Sequence, residues 1–349
     1  MISSPEIPTI DFASFGGPNP AVAVATDEAR INTAQEIMDA LCRFGFVCLK
    51  NHGIDSDLLA EFFVLAAQYF DRPLADKLRH AYDPNDNSGY TSFGQEVLNL
   101  DDPVDQKEAF NLRPFNGLFG SKETLPELFQ AHFDRIEQLS EDLHRLMLRI
   151  LDAVSLGLQI PAEAGGISYL SDRHRYQEPS GCTLRMLRYP PAKTGSIRCG
   201  GHTDYGSLTL LFQDSVGGLE VFVPTSETIR DPAVDGWIPV VPAPNTLIVN
   251  AGDLMEFWTG GLIRSAPHRV RGWPGSESTS RYSVAFFGHP EDSTPLDPIP
   301  SPLLAKETLE GTAPTSVPNR SFEAGSLLKR TMTAGEHLQM RLDRSYNLA

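Results

Sequence analysis

The chain has no apolar run near the roughly 20 residues that a membrane-crossing helix needs, so no bilayer span is expected. Its opening, MISSPEIPTIDF, lacks a basic stretch followed by an apolar one, so no secretory leader is expected. Cysteine is scarce. Cys42, Cys48, Cys182 and Cys199 are scattered without a C-x-x-C pair, which argues against a thiolate zinc site or a disulfide framework and for reduced thiols in a cytoplasmic protein. Basic residues are outnumbered, 29 Lys and Arg against 45 Asp and Glu, for a formal charge of −16. Nucleic acid and anionic membrane surfaces both need basic area, so neither is an expected partner. Internal repeats and low-complexity tracts are missing too. What remains is the composition of an ordinary globular protein, 41% hydrophobic and 21% charged, with 349 residues that can bury a substantial core. An anionic small molecule would need a locally positive spot, which makes single arginines worth following.

Local patterning divides the chain. Residues 1–120 read as mixed and largely helical. TDEARINTAQEIMDALCRFG has apolar residues at helical spacing, with Asp27 as N-cap and Gly45 as stop, FVCLKN reads as a strand, and Ser56 caps a second helix that ends near Pro73. Residues 121–180 hold the strongest helical signal, an apolar stripe over about 125–158 that predicts a backbone helix laid on a sheet. From 181 to 290 the runs shorten (CTLRMLRYP, SLTLLFQ, LEVFVP, NTLIVNAGDL, HRVRGW, RYSVAFFGHP) between Gly, Pro, Asn and Asp, the pattern of a sandwich, jelly roll or barrel. A Pro-rich stretch and a last helix occupy 291–349. The expectation is one compact unit over 1–349, mainly β with flanking helices.

Chemistry concentrates in RCGGHTDYGSLTLLF. His202 and Asp204 are two apart, so on a strand they project to one face. An imidazole and a carboxylate make two thirds of the 2-His-1-carboxylate facial triad of non-haem iron. His268, at the start of another β-patterned run, is the candidate third ligand. Gly200 and Gly201 suit a backbone bent closely around a metal. Competing pairs have blander readings: Asp172 and His174 in a charged, solvated loop, His289 and Glu291 at a strand end, and Glu336 and His337 on a helix where neighbours do not share a face. In RYSVAFF, Arg281 and Ser283 share one strand face. An inward arginine demands a partner, either a structural Asp or Glu or an acidic cosubstrate.

The order H-T-D, H-R-V, R-Y-S, together with IPTIDF, GFVCLKNHGI, HTDYGSLTLLFQDSVGGLEVF and NAGDLMEFWTGGLIRSAPHRV, resembles the isopenicillin N synthase-like superfamily of iron(II)- and 2-oxoglutarate-dependent dioxygenases. It is most similar to the microbial small-molecule branch that includes thymine hydroxylase and natural-product oxygenases. The resemblance implies a double-stranded β-helix (jelly roll) core packed on the N-terminal helices and a C-terminal helix. It implies iron(II) on His202, Asp204 and His268, and the distal carboxylate of 2-oxoglutarate on Arg281 and Ser283, with Tyr189 and Arg185 beside it. Phe287 corresponds to a pocket aromatic, and the loops carrying Tyr90, Phe110 and Asn111 are expected to touch substrate. Dioxygen is the oxidant and ascorbate would keep the iron reduced. The implied reaction is hydroxylation of a C–H bond in a small, largely apolar molecule of specialised metabolism, releasing succinate and CO2, by a monomer or weak homo-oligomer. Desaturation, ring expansion, cyclisation or ethylene formation are alternative outcomes of the same oxidant. A non-catalytic jelly-roll binding protein is the alternative of another class.

Overall fold

A computed structural model describes residues 6–16, 26–96, 105–113, 122–223, 236–304 and 332–346. Strands in chain order are β1 (Thr9–Asp11), β2 (Phe46–Lys50), β3 (Gly89–Thr91), β4 (Glu108–Leu112), β5 (Thr183–Tyr189), β6 (Ile197–His202), β7 (Leu208–Gln213), β8 (Leu219–Phe222), β9 (Trp237–Pro239), β10 (Leu247–Ala251), β11 (His268–Arg271) and β12 (Arg281–Gly288). They form a large sheet ordered β1-β2-β10-β7-β12-β5-β4-β3 and a small one ordered β6-β11-β8-β9, the two walls of a jelly roll. The N-terminal region is therefore part of the sheet as well as its helical cover, since it contributes β1 to β4.

The period of two along β12 explains how the walls are used. Val284 and Phe286 turn toward the helices, in one core with Leu184, Met186 and Leu210. Ala285 turns the other way, into a second cluster with Leu187, Tyr189, Cys199 and Val270 between the sheets. Arg281 and Ser283 share its parity and are buried there as well.

Helices α1 (Asp27–Phe44), α2 (Ser56–Phe70), α3 (Leu74–Leu78), α4 (Glu127–Ala131) and α5 (Phe133–Gly157) belong to the cover. Two cap assignments move by one residue: the side chains of Thr26 and Asp55 accept the first-turn N–H groups, so Asp27 and Ser56 are the first helical residues. Gly45 stops α1 with a φ of 69°, as the sequence predicts. The helix predicted over 125–158 is divided at His132. The His132 ring Nδ1 donates to the Leu128 carbonyl at 2.9 Å, and its backbone N–H turns to Phe129 instead, which ends α4. The stripe on α5, from Ile136 to Val154, is buried against the large sheet.

Of the competing His and acid pairs, His174, His289, Glu291 and His337 are internal, whereas Asp172 and Glu336 are exposed. His174 is 1% exposed, donating from Nδ1 to the Leu170 carbonyl and accepting from Ser207 Oγ at Nε2. Glu291 takes two bonds from Arg175, and His337 is fully buried on α7 (Ala334–Tyr346), which follows α6 (Asp253–Trp258). No helix among the described residues is long and apolar enough to cross a membrane.

Candidate active site

His202 ends β6 and His268 opens β11, and the two residues are direct partners in the antiparallel pairing. Their ring centres are 4.3 Å apart. Asp204 is not on the strand, contrary to the sequence expectation, because β6 stops at His202 and the carboxylate is delivered by the turn beyond it. Thr209 Oγ1 and Asn250 Nδ2 donate to its Oδ2 at 2.6 and 2.7 Å, which leaves Oδ1 free, 3.7 Å from His268 Nε2.

Both imidazoles are oriented by backbone carbonyls. His202 Nδ1 faces the Gly200 carbonyl at 2.8 Å and His268 Nδ1 faces that of Ala266 at 3.3 Å. A carbonyl only accepts, so the tautomer favoured in each neutral ring carries its proton on Nδ1 and turns the Nε2 lone pair outward. One ligand atom from each of His202, Asp204 and His268 lies within 4.8 Å of the others. Burial would raise the pKa of Asp204, but the two imidazoles and the bonds from Asn250 and Thr209 outweigh it and hold the group ionised. Burial, then His202, pushes His268 down and keeps it neutral. Two imidazole nitrogens and one carboxylate on one side of a space form the donor set that suits ferrous iron with open positions.

The glycines that matter are not those anticipated. Gly201 has no positive φ, and a Cβ there would meet Trp237 at an ordinary 3.6 Å. The close approach is made by Gly206 and Gly252, where a Cβ on Gly252 would stand 2.4 Å from the Gly206 carbonyl oxygen. That contact lets Asp253 N–H reach the Asp204 carbonyl at 2.8 Å and seats the metal-side turn on the loop after β10. Gly252→Ala forces two backbones apart, and metal affinity is expected to fall by about 10- to 100-fold, as for loss of an outer support. Titration with Mn(II) measures it, and unchanged affinity would refute the contact's role.

Arg281 and Ser283 face the space between the sheets from β12, both 2% exposed. Arg281 donates to Gln213 Oε1 at 3.1 Å and to Ser283 Oγ at 3.4 Å, and its Nε has no acceptor. Among the described residues no carboxylate pairs with it, so the structural-partner alternative for this arginine loses its basis. Tyr189 is its register partner on β5, with the guanidinium carbon 5.0 Å from the ring centre. Gln213 carries no sequence signal beyond its place at the end of SLTLLFQ.

Other sequence candidates separate. Phe287 is partly buried beside the inter-sheet cluster. Asn111 is buried on the inner parity of β4 and bonds Asn87. Tyr90 and Phe110 lie on the opposite parity, in the helix-side core with Tyr69 and Phe129, and the Tyr90 hydroxyl donates to Glu108. They are removed from the pocket by strand alternation. Of the other aromatics near these strands, Phe212, Trp258 and Phe286 lie in the helix-side core and Phe257 packs against it. The loop candidates at 97–99 lie outside the described residues. Arg185 shares the inner parity but is engaged with Glu96, whose two oxygens both lie 2.7 Å from Nη2. Glu96 also pairs with buried Lys107, which bonds Asp105 and reaches Cys199 Sγ at 3.6 Å. Asp105 in turn accepts from Gly200 N–H at 2.9 Å, so this charged group abuts the stretch of β6 that orients His202. Sequence reading missed it.

Comparison with known proteins agrees with this geometry. Residues 180–290 match the 2OG-Fe(II) oxygenase superfamily, and residues 7–127 match the non-haem dioxygenase N-terminal family named for morphine synthesis. The 2-oxoglutarate-dependent dioxygenase htyE of Aspergillus rugulosus is 30% identical, over 87% of this chain and 93% of its own. The chain belongs to the 2OG-Fe(II) oxygenase superfamily. Proline hydroxylase buaE of Petromyces alliaceus is likewise 30% identical, over 98% of this chain and all of its own (100%). Among solved structures, the full-length thymine hydroxylase of Neurospora crassa in complex with alpha-KG and thymine superposes with a TM-score of 0.73 at 27% identity, covering 97% of each chain. This oxygenase is thus an oxidoreductase that uses iron(II) and 2-oxoglutarate, on a jelly-roll core.

Proposed function

We propose that this oxygenase hydroxylates a C–H bond of a small molecule, with iron held by His202, Asp204 and His268 and the distal carboxylate of 2-oxoglutarate held by Arg281 and Ser283. The observation that carries this reading is the pairing of two sites across one space: converging ligand atoms on the small sheet's side, and a buried arginine without a carboxylate on the large sheet. Bound iron and 2-oxoglutarate supply the oxidising chemistry, consuming dioxygen and releasing succinate and CO2. The chain's residues bind and orient. Ser283 and Gln213 steady the Arg281 fork, the Tyr189 phenol stays protonated because burial pushes it up to about 12, and the apolar cluster keeps water from the reacting face.

We read the substrate as the small, largely apolar molecule that the sequence suggested, the charged groups on one side of the lining being already paired with one another. Phe287 and Leu211 give an apolar patch, and the Arg185, Glu96 and Lys107 group lies on the same inner side. A proline hydroxylase among the relatives and a thymine complex among the neighbours accord with a compact, nitrogen-containing molecule. We assign it to the cytoplasm, as a monomer or weak homo-oligomer. Arg281→Met is expected to raise the KM for 2-oxoglutarate by roughly 30-fold or more, the effect of about 2 kcal/mol for one lost partner of a buried charge pair. A substrate screen for succinate release, read by mass spectrometry for the gain of one oxygen, tests the reaction. A protein that binds iron but releases no succinate with any candidate would favour a binding role instead.

A further inference from the structure

Burying a guanidinium without a counter-ion is costly. Arg281 shares that condition with Arg198, which is 1% exposed. Among the described residues Arg198 has no carboxylate partner; its Nη2 donates to the Pro190 carbonyl and its Nε has no acceptor. The two arginines converge on one ring: the guanidinium carbons stand 5.6 Å (Arg198) and 5.0 Å (Arg281) from the centre of Tyr189. They arrive from different walls. Arg281 is on β12 of the large sheet, and Arg198 is on β6, the small-sheet strand that ends in His202.

The phenol between them is no counter-ion, because it is held neutral. Burial, with Arg281 adding to it, pushes Arg198 down to about 10, which leaves it charged at neutral pH. Two positive charges therefore meet at one ring with no carboxylate in contact with either among the described residues. The Asp105 and Asp214 carboxylates that act on this region at longer range are held by Lys107 and by backbone N–H groups. Pro190's carbonyl satisfies one N–H and compensates no charge. An anion with two acceptor oxygens would resolve both deficits at once.

We propose that Arg198 is a second cationic contact for the distal carboxylate of 2-oxoglutarate, gripping it from the small sheet while Arg281 grips it from the large one. The inference rests on the cosubstrate site proposed above and adds a consequence: the cosubstrate ties the two walls together, and selectivity for dicarboxylic 2-oxo acids is divided between two residues.

Calorimetry on the Mn(II)-loaded protein, without turnover, tests this with two probes. 2-Oxoglutarate carries the distal carboxylate, and 2-oxopentanoate has the same metal-binding end without it. Arg198→Met is expected to weaken 2-oxoglutarate by about tenfold or more while 2-oxopentanoate stays within about twofold of its unaltered affinity. Equal weakening of both acids, or no weakening of 2-oxoglutarate, would overturn the assignment. If the methionine variant fails to melt cooperatively, Arg198→Lys decides: it keeps the charge but loses the fork, so a severalfold loss confined to 2-oxoglutarate supports the contact and unchanged binding refutes it. Arg281→Met run beside it separates the two claims. Discrimination lost there but kept in the Arg198 variants sinks the second contact alone, whereas discrimination kept in Arg281→Met sinks the cosubstrate site itself.

Discussion

Replacement of His202 by alanine is expected to abolish iron(II) retention and to reduce succinate formation to background. His202 offers one of three potential ligand atoms clustered within 4.8 Å, and the remaining pair, Asp204 and His268, would leave a two-point site. The loss should exceed the roughly 10- to 100-fold that removing a ligand's hydrogen-bond partner costs, because a ligand itself is gone. The Gly200 carbonyl that orients the ring would also lose its partner, although it stays fixed through the Asp105 bond to Gly200 N–H. Metal analysis after desalting, with succinate measured on the same sample, checks the result. Stoichiometric iron in the variant would refute the ligand assignment.

Acidification should destabilise the metal-free protein steeply below about pH 6.5. Burial first of all pushes His144 and His174 down to about 4 and His289 to about 3. An unfolded chain titrates them near about 6.5, so below that pH it binds protons the folded protein refuses. The stability these residues contribute is complete above about pH 6.5 and is lost as pH falls toward about 4. Each proton costs about 1.4 kcal/mol per pH unit, so three approach about 4 kcal/mol per unit against a total of roughly 5–15. Asp152, Asp214 and Asp253, raised by burial, offset part of this at the acid end. Melting temperatures between about pH 7.5 and about pH 5.5 should drop by several degrees. A flat profile would mean that these imidazoles are not buried in neutral form.

Much of this was legible in the sequence, for identifiable reasons. Period-two runs located β5, β7, β10, β11 and β12, and the H-x-D, H and R-x-S order located the residues that meet between the sheets. Parity was less legible. Both faces of EAFNL on β4 are buried, so composition could not say that Phe110 turns to the helices while Asn111 turns inward. The cluster of Glu96, Lys107 and Asp105 depends on the pairing of β4 with β5 and on a loop folding over β6, neither of which leaves a local trace. His174 looked solvated because its neighbours are charged, yet its burial is decided by Ser207, across the fold. Nothing local marks Gly252, and its constraint is visible only once Gly206 stands against it.

The final helix bears on all of this. Arg341 on α7 pairs with Asp253 at 2.5 Å, approaches Thr203 Oγ1 at 3.4 Å and stands over the Tyr205 ring. Thr203 and Tyr205 bracket Asp204, so a guanidinium contributed from far along the chain clasps the turn between the two sheets that bears the proposed carboxylate ligand. Removal of Arg341 would thus loosen the proposed iron-binding turn from behind, with no coordinating atom altered.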